Sequence, residues 1–503
     1  MSLAQKAGQA GALMLFRKGW GALVSFGVMA YLARVLDKAD FGLLAISATL
    51  IGIIETVALS GIGEYVIFYH DKKDEKEVTN SAFWLNILLT IVVCAAVLIA
   101  APLWASFYKD ERINRIIWLL LVGFFFNMLS SISVAQFRKT LDYKPLVLIQ
   151  TIFGTIAQLS QIAFALLGFG VYSLALPHAV ITPVMAIVLI YKSEFRPSLK
   201  MNREHWGRIF GYTKHVIGSR VLGKFVNEGD TLIVGKFLGM ELLGVYNLAF
   251  RFSHLFFANF LPIITNVTMP VFSQIRNNLP RLRDNFTRSL KLIAFVTIPV
   301  ISFQILFAEP LINLIYGPKW HDAVIPFQIL SLFVLFKSVG SPTSGLYNAT
   351  GKPQIGFYFT LIFTPIFLGS VLFSSIFNSL IITTVIVASV RILGTMTHFF
   401  LSGRILKVPG FSLMAQALKS FIPAIIIAIP IYLFRLTTDY HFAIIESIIF
   451  LSGYFLLYNL LLKTDWREIL LDLEKMMPKK LKKIIPSRLR KILINEALPE
   501  EIV

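Results

Sequence analysis

The chain has 503 residues, of which 56% are hydrophobic and only 15% are charged, and its mean hydropathy is +0.72. This composition excludes an ordinary soluble or disordered protein and indicates an integral membrane protein. The net charge of +19 does not predict nucleic-acid binding, because polytopic membrane proteins concentrate Lys and Arg in cytoplasmic loops. The single cysteine, Cys94, excludes an internal disulfide and a metal site built from cysteines.

Apolar segments recur from the N-terminus onwards, each long enough to cross a hydrocarbon layer of about 30 Å. Arg17 and Lys18 interrupt the first segment, which is therefore expected to be a retained span rather than a cleavable signal peptide. We predict an all-α polytopic membrane protein with about fourteen transmembrane helices. The predicted spans are 8–34, 41–67, 80–105, 113–138, 144–168, 171–192, 207–236, 241–271, 286–308, 324–350, 353–376, 379–405, 413–435 and 441–463.

The distribution of Lys and Arg predicts the orientation of these spans. With the N-terminus in the cytoplasm, 31 of the 47 basic residues fall in inner segments, 8 fall in outer segments and 8 lie within spans. Positive residues accumulate on the cytoplasmic side of membrane proteins. We therefore expect both termini in the cytoplasm, as in a protein of the bacterial inner membrane.

The seventh predicted span carries four charges, Arg220, Lys224, Glu228 and Asp230. Each charge at mid-bilayer costs about 2.5–3.5 kcal/mol on insertion scales, so the four together cost about 10–14 kcal/mol, more than the roughly 3–6 kcal/mol gained from the apolar residues of this span. Arg220, Lys224 and Glu228 share one helical face, since they are spaced four residues apart. This face is expected to line the wet interior of a transporter.

Charges inside the spans mark transport pathways by default. Eight are basic and four are acidic, which leaves a net charge of +4 and predicts an anionic substrate.

The substrate-binding candidates are Arg17, Lys18, Arg220, Lys224, Arg251, Lys337 and Arg391; Lys214 is a further basic member. Glu55, Glu228 and Asp230 are candidates for ion coupling or charge pairing, and Glu64 is the fourth acid. Structural pairing, for instance of Lys224 with Glu228, is the alternative. Trp20 can stack on a sugar or face lipid.

The sequence repeats itself at a nearly constant offset. LARVLDKADFGLLA at 32–45 matches VGKFLGMELLGVYN at 234–247 with an offset of 202, which also aligns Lys18 with Arg220. APLWASFY at 101–108 matches EPLINLIY at 309–316 with an offset of 208. Six spans separate the copies, so the halves keep the same orientation and are related by an axis along the membrane normal. Two pseudo-symmetric six-helix lobes around a central cavity are expected.

These motifs, the glycines Gly61 and Gly63, and the ATGKP string at 349–353 resemble polysaccharide exporters of the multidrug/oligosaccharidyl-lipid/polysaccharide superfamily. The resemblance covers about residues 1–410 and is strongest to repeat-unit flippases of the O-antigen (Wzx) type and to those for capsule or teichuronic-type polymers. It implies that an undecaprenyl-diphosphate-linked oligosaccharide moves from the inner to the outer leaflet by alternating access. The last two spans, beyond a twelve-helix core, are similar to a pair that borders a lipid groove in lipid II flippases.

Two other functions remain open: a drug or metabolite exporter of the same superfamily, and a glycosyltransferase, polymerase or ligase of the same pathway. The Asp40-Phe41-Gly42 string spells a kinase motif but has no catalytic loop with it, and Asp40 is better interpreted as a helix cap. No metal or cofactor motif is present. We therefore predict no enzyme activity, no metal and no cofactor.

The expected domains are an N-lobe at 1–192, a cytoplasmic linker at 193–206, a C-lobe at 207–410, two further spans at 411–463 and a tail at 464–503. The tail combines an amphipathic segment with a run of Lys and Arg, which is typical of contact with anionic membrane lipid. A partner-binding tail is the alternative. We expect a monomer without a nucleic-acid partner, working with polysaccharide polymerase or export proteins.

Overall fold

The protein is built from apolar helices. The computed structural model describes residues 3–59, 61–69, 74–193, 195–198, 203–433 and 440–476. In these ranges all regular structure is helical. Short 3-10 helices at Pro318–Ala323 and Ser375–Phe377 join longer ones. The α-helices are α1 Leu3–Val35, α2 Lys38–Leu59, α3 Ile62–Phe68, α4 Glu75–Tyr108, α5 Arg112–Lys139, α6 Tyr143–Leu166, α7 Tyr172–Lys192, α8 Arg203–Phe237, α9 Met240–Ile275, α10 Leu279–Leu306, α11 Ala308–Ile315, α12 Val324–Gly340, α13 Pro342–Ala349, α14 Gln354–Ser374, α15 Leu380–Leu406, α16 Gly410–Leu418, α17 Phe421–Leu433, α18 Tyr440–Leu461 and α19 Lys463–Met476.

Every predicted span overlaps one or two of these helices, which confirms the all-α membrane fold. The count of fourteen is not confirmed. Within the described ranges, nine helices are long and apolar enough to cross a membrane, or eleven if each of two bent helix pairs is one span. The helices α1, α8 and α9 fall outside this set; α1 and α8 carry charged residues along their length.

The second predicted span, 41–67, is two helices rather than one. Gly61 has φ of 100°, in the left-handed region that favours glycine, and it separates α2 from α3. Asp40 is a helix cap as predicted, but at the third helical position. Its carboxylate accepts a hydrogen bond from the Asp37 amide at 3.2 Å, as the acidic member of a capping box does.

One compact unit comprises Met1–Ala249, Asn313–Pro326 and Phe359–Val387. Within it, α5 packs against α7, α6 against α7, α1 against α6, and α2 against both α5 and α8. A buried cluster that includes Ile62, Val66 and Ile132 joins α3, α4 and α5. The predicted lobe boundaries at 192 and 207 stay a prediction.

The other compact unit comprises Phe250–Ile312, Phe327–Tyr358 and Ala388–Val503. Its core contains the fully buried rings of Phe286, Phe450 and Tyr458. The amphipathic tail helix α19 turns by 109° from α18, and its Trp466 and Ile469 pack against this core. Protein thus covers part of the apolar face of α19 that was expected to meet lipid. The basic run that begins at Lys479 lies outside the described residues.

The internal repeat is visible as pairs of equivalent contacts within the first unit. Arg34 at the end of α1 donates to the carbonyl of Ile315 at 3.2 Å, and the aligned Lys236 at the end of α8 donates to the carbonyl of Phe107. Phe107 and Ile315 are themselves aligned at the offset of 208. Each copy therefore caps the carbonyl end of a helix in the other copy.

The aligned glycines Gly42 and Gly244 make a second reciprocal contact. A Cβ at Gly42 would collide with the Met240 carbonyl, and a Cβ at Gly244 would collide with the Lys38 carbonyl. Lys38 and Met240 are aligned with each other at the offset of 202. The starts of α2 and α9 thus cross backbone to backbone in a nearly two-fold arrangement.

Further hydrogen bonds fix the same end of α1. The Trp320 indole donates to the carbonyl of Ala33 at 2.7 Å, and the Lys319 ammonium donates to the carbonyl of Leu36 at 2.5 Å. The Lys38 ammonium pairs with Asp322 at 2.6 Å. The last carbonyls of α1 are therefore satisfied by the segment around Trp320 rather than by solvent.

Candidate substrate site

The helix α8, which carries the charged residues, packs against α2, α3 and α4 within the first unit. Arg220 donates to the Glu64 carboxylate at 2.6 Å, and the two side chains are 45% and 49% exposed. Glu64 lies on α3, immediately after the break at Gly61. The protein leaves about half of each side chain uncovered, so another anion can approach Arg220.

One turn further along α8, Lys224 pairs with Glu228 at 2.5 Å. The structural pairing considered as an alternative is therefore present. A Cβ added at Gly52 would lie 2.6 Å from the Lys224 ammonium, so this glycine leaves the space in which the lysine head sits. Glu55, one turn further along α2, contacts the Asn127 amide at 3.5 Å. These groups form a compact acidic and basic cluster.

Asp230 differs from the other charges of α8. It is 1% exposed, and its carboxylate accepts hydrogen bonds from the Tyr246 hydroxyl at 2.6 Å and the Thr231 amide at 3.0 Å. A carboxylate that is buried and hydrogen-bonded in this way joins α8 to α9. Its candidate role in ion coupling stays a prediction.

The candidates on α1 lie on a more exposed helix. Arg17 is half-buried, and its buried Nε has no hydrogen-bond partner, while Lys18 is exposed. The Trp20 indole donates to the Thr155 hydroxyl of α6 at 3.0 Å, and its ring stacks on Phe16 with 6.4 Å between centroids. This hydrogen bond orients Trp20 and leaves the ring 43% exposed.

The remaining basic candidates belong to the second unit. The Arg391 guanidinium is 5.2 Å from the centre of the Phe333 ring, and the Lys337 ammonium is 5.6 Å from it. Arg391 is only 5% exposed, and its guanidinium also lies over Phe250. Aromatic faces stabilise buried cations, so these two basic groups are held as charges around one ring. Arg251 is exposed on α9.

The structure thus groups Arg220, Lys224, Glu228 and Glu55 in one cluster, and Lys337 and Arg391 in another. The side chain of Lys214 lies outside the described part of the chain. Sequence analysis missed Asn127 and the role of Glu64 as the partner of Arg220. No spacing signal exists for that pair, because 156 residues separate the two.

No group of three or more potential metal-ligating side chains occurs among the described residues. The cluster on α8 combines basic groups, which can bind an anion, with carboxylates, which can bind a proton or a cation. Charged groups on a helix that packs among apolar helices of membrane-spanning length are typical of a multi-pass membrane transporter.

Comparisons with known proteins give the family. Residues 31–325 match the family described as polysaccharide biosynthesis protein, and the chain belongs to it. The lipopolysaccharide biosynthesis protein WzxC of Escherichia coli K12 is 25% identical over 405 residues, which cover 78% of this chain and 80% of WzxC.

Two solved structures share the fold. The lipid II flippase MurJ, in an inward closed conformation, has a TM-score of 0.73 at 15% identity, over 90% of this chain and 99% of MurJ. An inward-facing multidrug resistance MATE transporter of the MOP superfamily has a TM-score of 0.52 at 15% identity, over 80% and 95% of the two chains. The family match confirms the resemblance to polysaccharide biosynthesis proteins inferred from the sequence, and the two structures show that the chain shares the fold of MurJ and of the MATE transporter.

Proposed function

We propose that this protein moves a polyprenyl-diphosphate-linked oligosaccharide across the membrane for the synthesis of a cell-surface polysaccharide. Undecaprenyl diphosphate is the carrier that we infer, and the bacterial inner membrane, with both termini in the cytoplasm, is the location. The names of its family and of WzxC support the pathway, and the fold shared with MurJ supports the flipping of a lipid-linked sugar.

The observation that carries the proposal is the placement of Arg220 and Lys224 one turn apart on α8, each beside a replaceable carboxylate. A diphosphate carries about two negative charges, and an isolated ion in a low-dielectric medium costs tens of kcal/mol. Fixed basic groups are therefore required along its path. The planar fork of Arg binds two phosphate oxygens at once, and Lys adds a point charge.

In the proposed mechanism the diphosphate displaces Glu64 from Arg220 and Glu228 from Lys224. The freed carboxylates can then take up protons or cations, which would couple transport to an ion gradient. The close crossing of α2 and α9 at Gly42 and Gly244, together with the hydrogen bonds around Trp320, holds that end of the first unit closed. Alternating access would require these contacts to separate.

The proposal is tested with Arg220→Gln combined with Lys224→Gln. We expect at least a tenfold slower transfer of a fluorescent undecaprenyl-diphosphate oligosaccharide across liposomes, because each charge-assisted hydrogen bond contributes about 1.5–3 kcal/mol. Arg404→Gln combined with Lys352→Gln is the matched control, since both residues are exposed and lie at or just beyond helix ends. Wild-type transfer by the first variant would contradict the proposal.

The MATE fold favours a second candidate, a drug exporter. An exporter of cationic drugs needs an acidic path, whereas the charges inside the predicted spans sum to +4 and would repel such a substrate. Overexpression is therefore expected to give no resistance to ethidium. Extrusion of ethidium that requires Glu228 would favour the drug exporter instead.

A further inference from the structure

A basic cavity lies in the second unit, apart from the transport cluster. Its volume is about 620 Å³, it is open on one side, and the first turns of α10, the start of α16 and Glu468 of α19 line it. Ligand sites commonly have about 300–1,000 Å³. The cavity is thus larger than a bare inorganic anion requires.

One face of α10 supplies most of the charge. Arg281, Asp284, Arg288 and Lys291 are spaced by three or four residues, so they point to the same side of the helix. Arg283 adds a fourth basic group to the lining. Four basic groups and two carboxylates, Asp284 and Glu468, line the cavity and leave it with an excess of positive charge.

Arg283 is fixed by the end of α15. Its guanidinium donates to the carbonyls of Leu406 and Lys407 at 3.1 and 3.5 Å. The Nε of the same group is buried and has no hydrogen-bond partner in the structure. A buried donor without a partner is uncommon in proteins, and here it belongs to a side chain of the cavity wall.

The acidic residues of α19 form one tight ion pair and two looser contacts with the basic groups of α10. Lys291 and Asp465 form a tight pair at 2.6 Å, and both side chains are mostly buried, so this contact docks α19. Glu468 is farther away, at 3.9 Å from Arg288 and 3.6 Å from Lys291. Arg288 and Glu468 are 48% and 41% exposed, so this second contact is weak and replaceable.

We propose that this cavity binds a phosphate group. Arg288 would contact its oxygens in place of Glu468, Arg281 would add a second guanidinium, and Ser412 and Gln416 add neutral polar groups to the lining. The phosphate belongs to a membrane lipid headgroup or to a soluble phosphate compound. The bend of 109° between α18 and α19 places the cavity where a helix turns away from a span.

The test uses the full-length protein in detergent and measures its thermal stability. The ligands are dioctanoyl phosphatidylglycerol, its phosphatidylcholine counterpart and inorganic phosphate. We expect saturable stabilisation by phosphatidylglycerol or by inorganic phosphate, and a much smaller effect of the zwitterionic lipid. A response to phosphatidylglycerol alone identifies a lipid headgroup, and a response to inorganic phosphate at equal concentration identifies a soluble ligand.

Arg281→Gln combined with Arg288→Gln should raise the concentration for half-maximal stabilisation at least tenfold. Both residues are exposed, so folding should be preserved. Ser412→Trp, which fills the cavity without a change of charge, should have the same effect. Arg404→Gln combined with Lys419→Gln, at exposed positions outside the cavity, should leave binding unchanged. The proposal is overturned if neither ligand gives saturable stabilisation, or if the control weakens binding as much as the cavity variants.

Discussion

Arg220 and Asp230 lie on the same helix, but they differ in burial and in their hydrogen-bond partners. Asp230 is buried and bonded to Tyr246, whereas Arg220 is half-exposed and paired with one carboxylate. The sequence identified both as charges inside a span, since hydropathy alone shows this. It could not distinguish a buried, hydrogen-bonded acid from a half-exposed base, because that difference depends on Tyr246 and Glu64, which come from other helices.

A charge reversal separates the two roles of Arg220. Glu64→Arg combined with Arg220→Glu restores an ion pair of opposite polarity, so protein abundance and thermal stability should stay near the wild-type values. The single exchange Arg220→Glu places two carboxylates together, and a lower stability is expected. Transfer of the lipid-linked oligosaccharide should be lost in both variants, because the base is no longer on α8.

Abundance is measured in isolated membranes and stability by thermal unfolding in detergent. Recovery of transport in the double variant would show that pairing alone suffices, and that Arg220 does not contact the substrate.

At the scale of elements, apolar segment length predicted where helices occur. It did not predict where they break, because glycine and proline occur both at breaks and inside continuous helices. The span at 41–67 breaks at Gly61, whereas α10 continues through Pro299. The repeat aligned Gly42 with Gly244, but it did not predict that α2 and α9 cross at these glycines, because the crossing depends on the carbonyls of Lys38 and Met240.

Two glycine substitutions should have opposite effects on stability. In an open helical position, Gly→Ala stabilises by roughly 1 kcal/mol, and Gly27 of α1 has no neighbour within 4 Å of an added Cβ. Gly27→Ala should therefore raise the unfolding temperature slightly. Gly244→Ala should lower it, because the added methyl group collides with the Lys38 carbonyl and overpacking costs about 1–3 kcal/mol.

Thermal unfolding of the two purified variants in the same detergent is the measurement. Equal stabilisation by both substitutions would mean that the backbones of α2 and α9 do not approach as closely as described.

For the whole molecule, the excess of Lys and Arg on one side predicts the topology, and cysteine labelling can check it. In a Cys94→Ala background, Glu111→Cys should react in intact cells with a membrane-impermeant maleimide, because the loop between α4 and α5 is expected outside. Lys352→Cys, exposed between α13 and α14, should react only after the cells are permeabilised. Labelling of Lys352→Cys from outside would reverse the predicted orientation.

The exchange of helix caps between the two sequence copies has a consequence for biosynthesis. The carbonyl of Phe107 accepts a hydrogen bond from Lys236, which is synthesised 129 residues later. Arg34 is synthesised 281 residues before Ile315, whose carbonyl it contacts. When the first copy leaves the translocon, the carbonyl of Phe107 is therefore uncapped and Arg34 lacks its final hydrogen-bond acceptor. Neither sequence copy therefore completes its helix-end hydrogen bonds until the other copy has been synthesised.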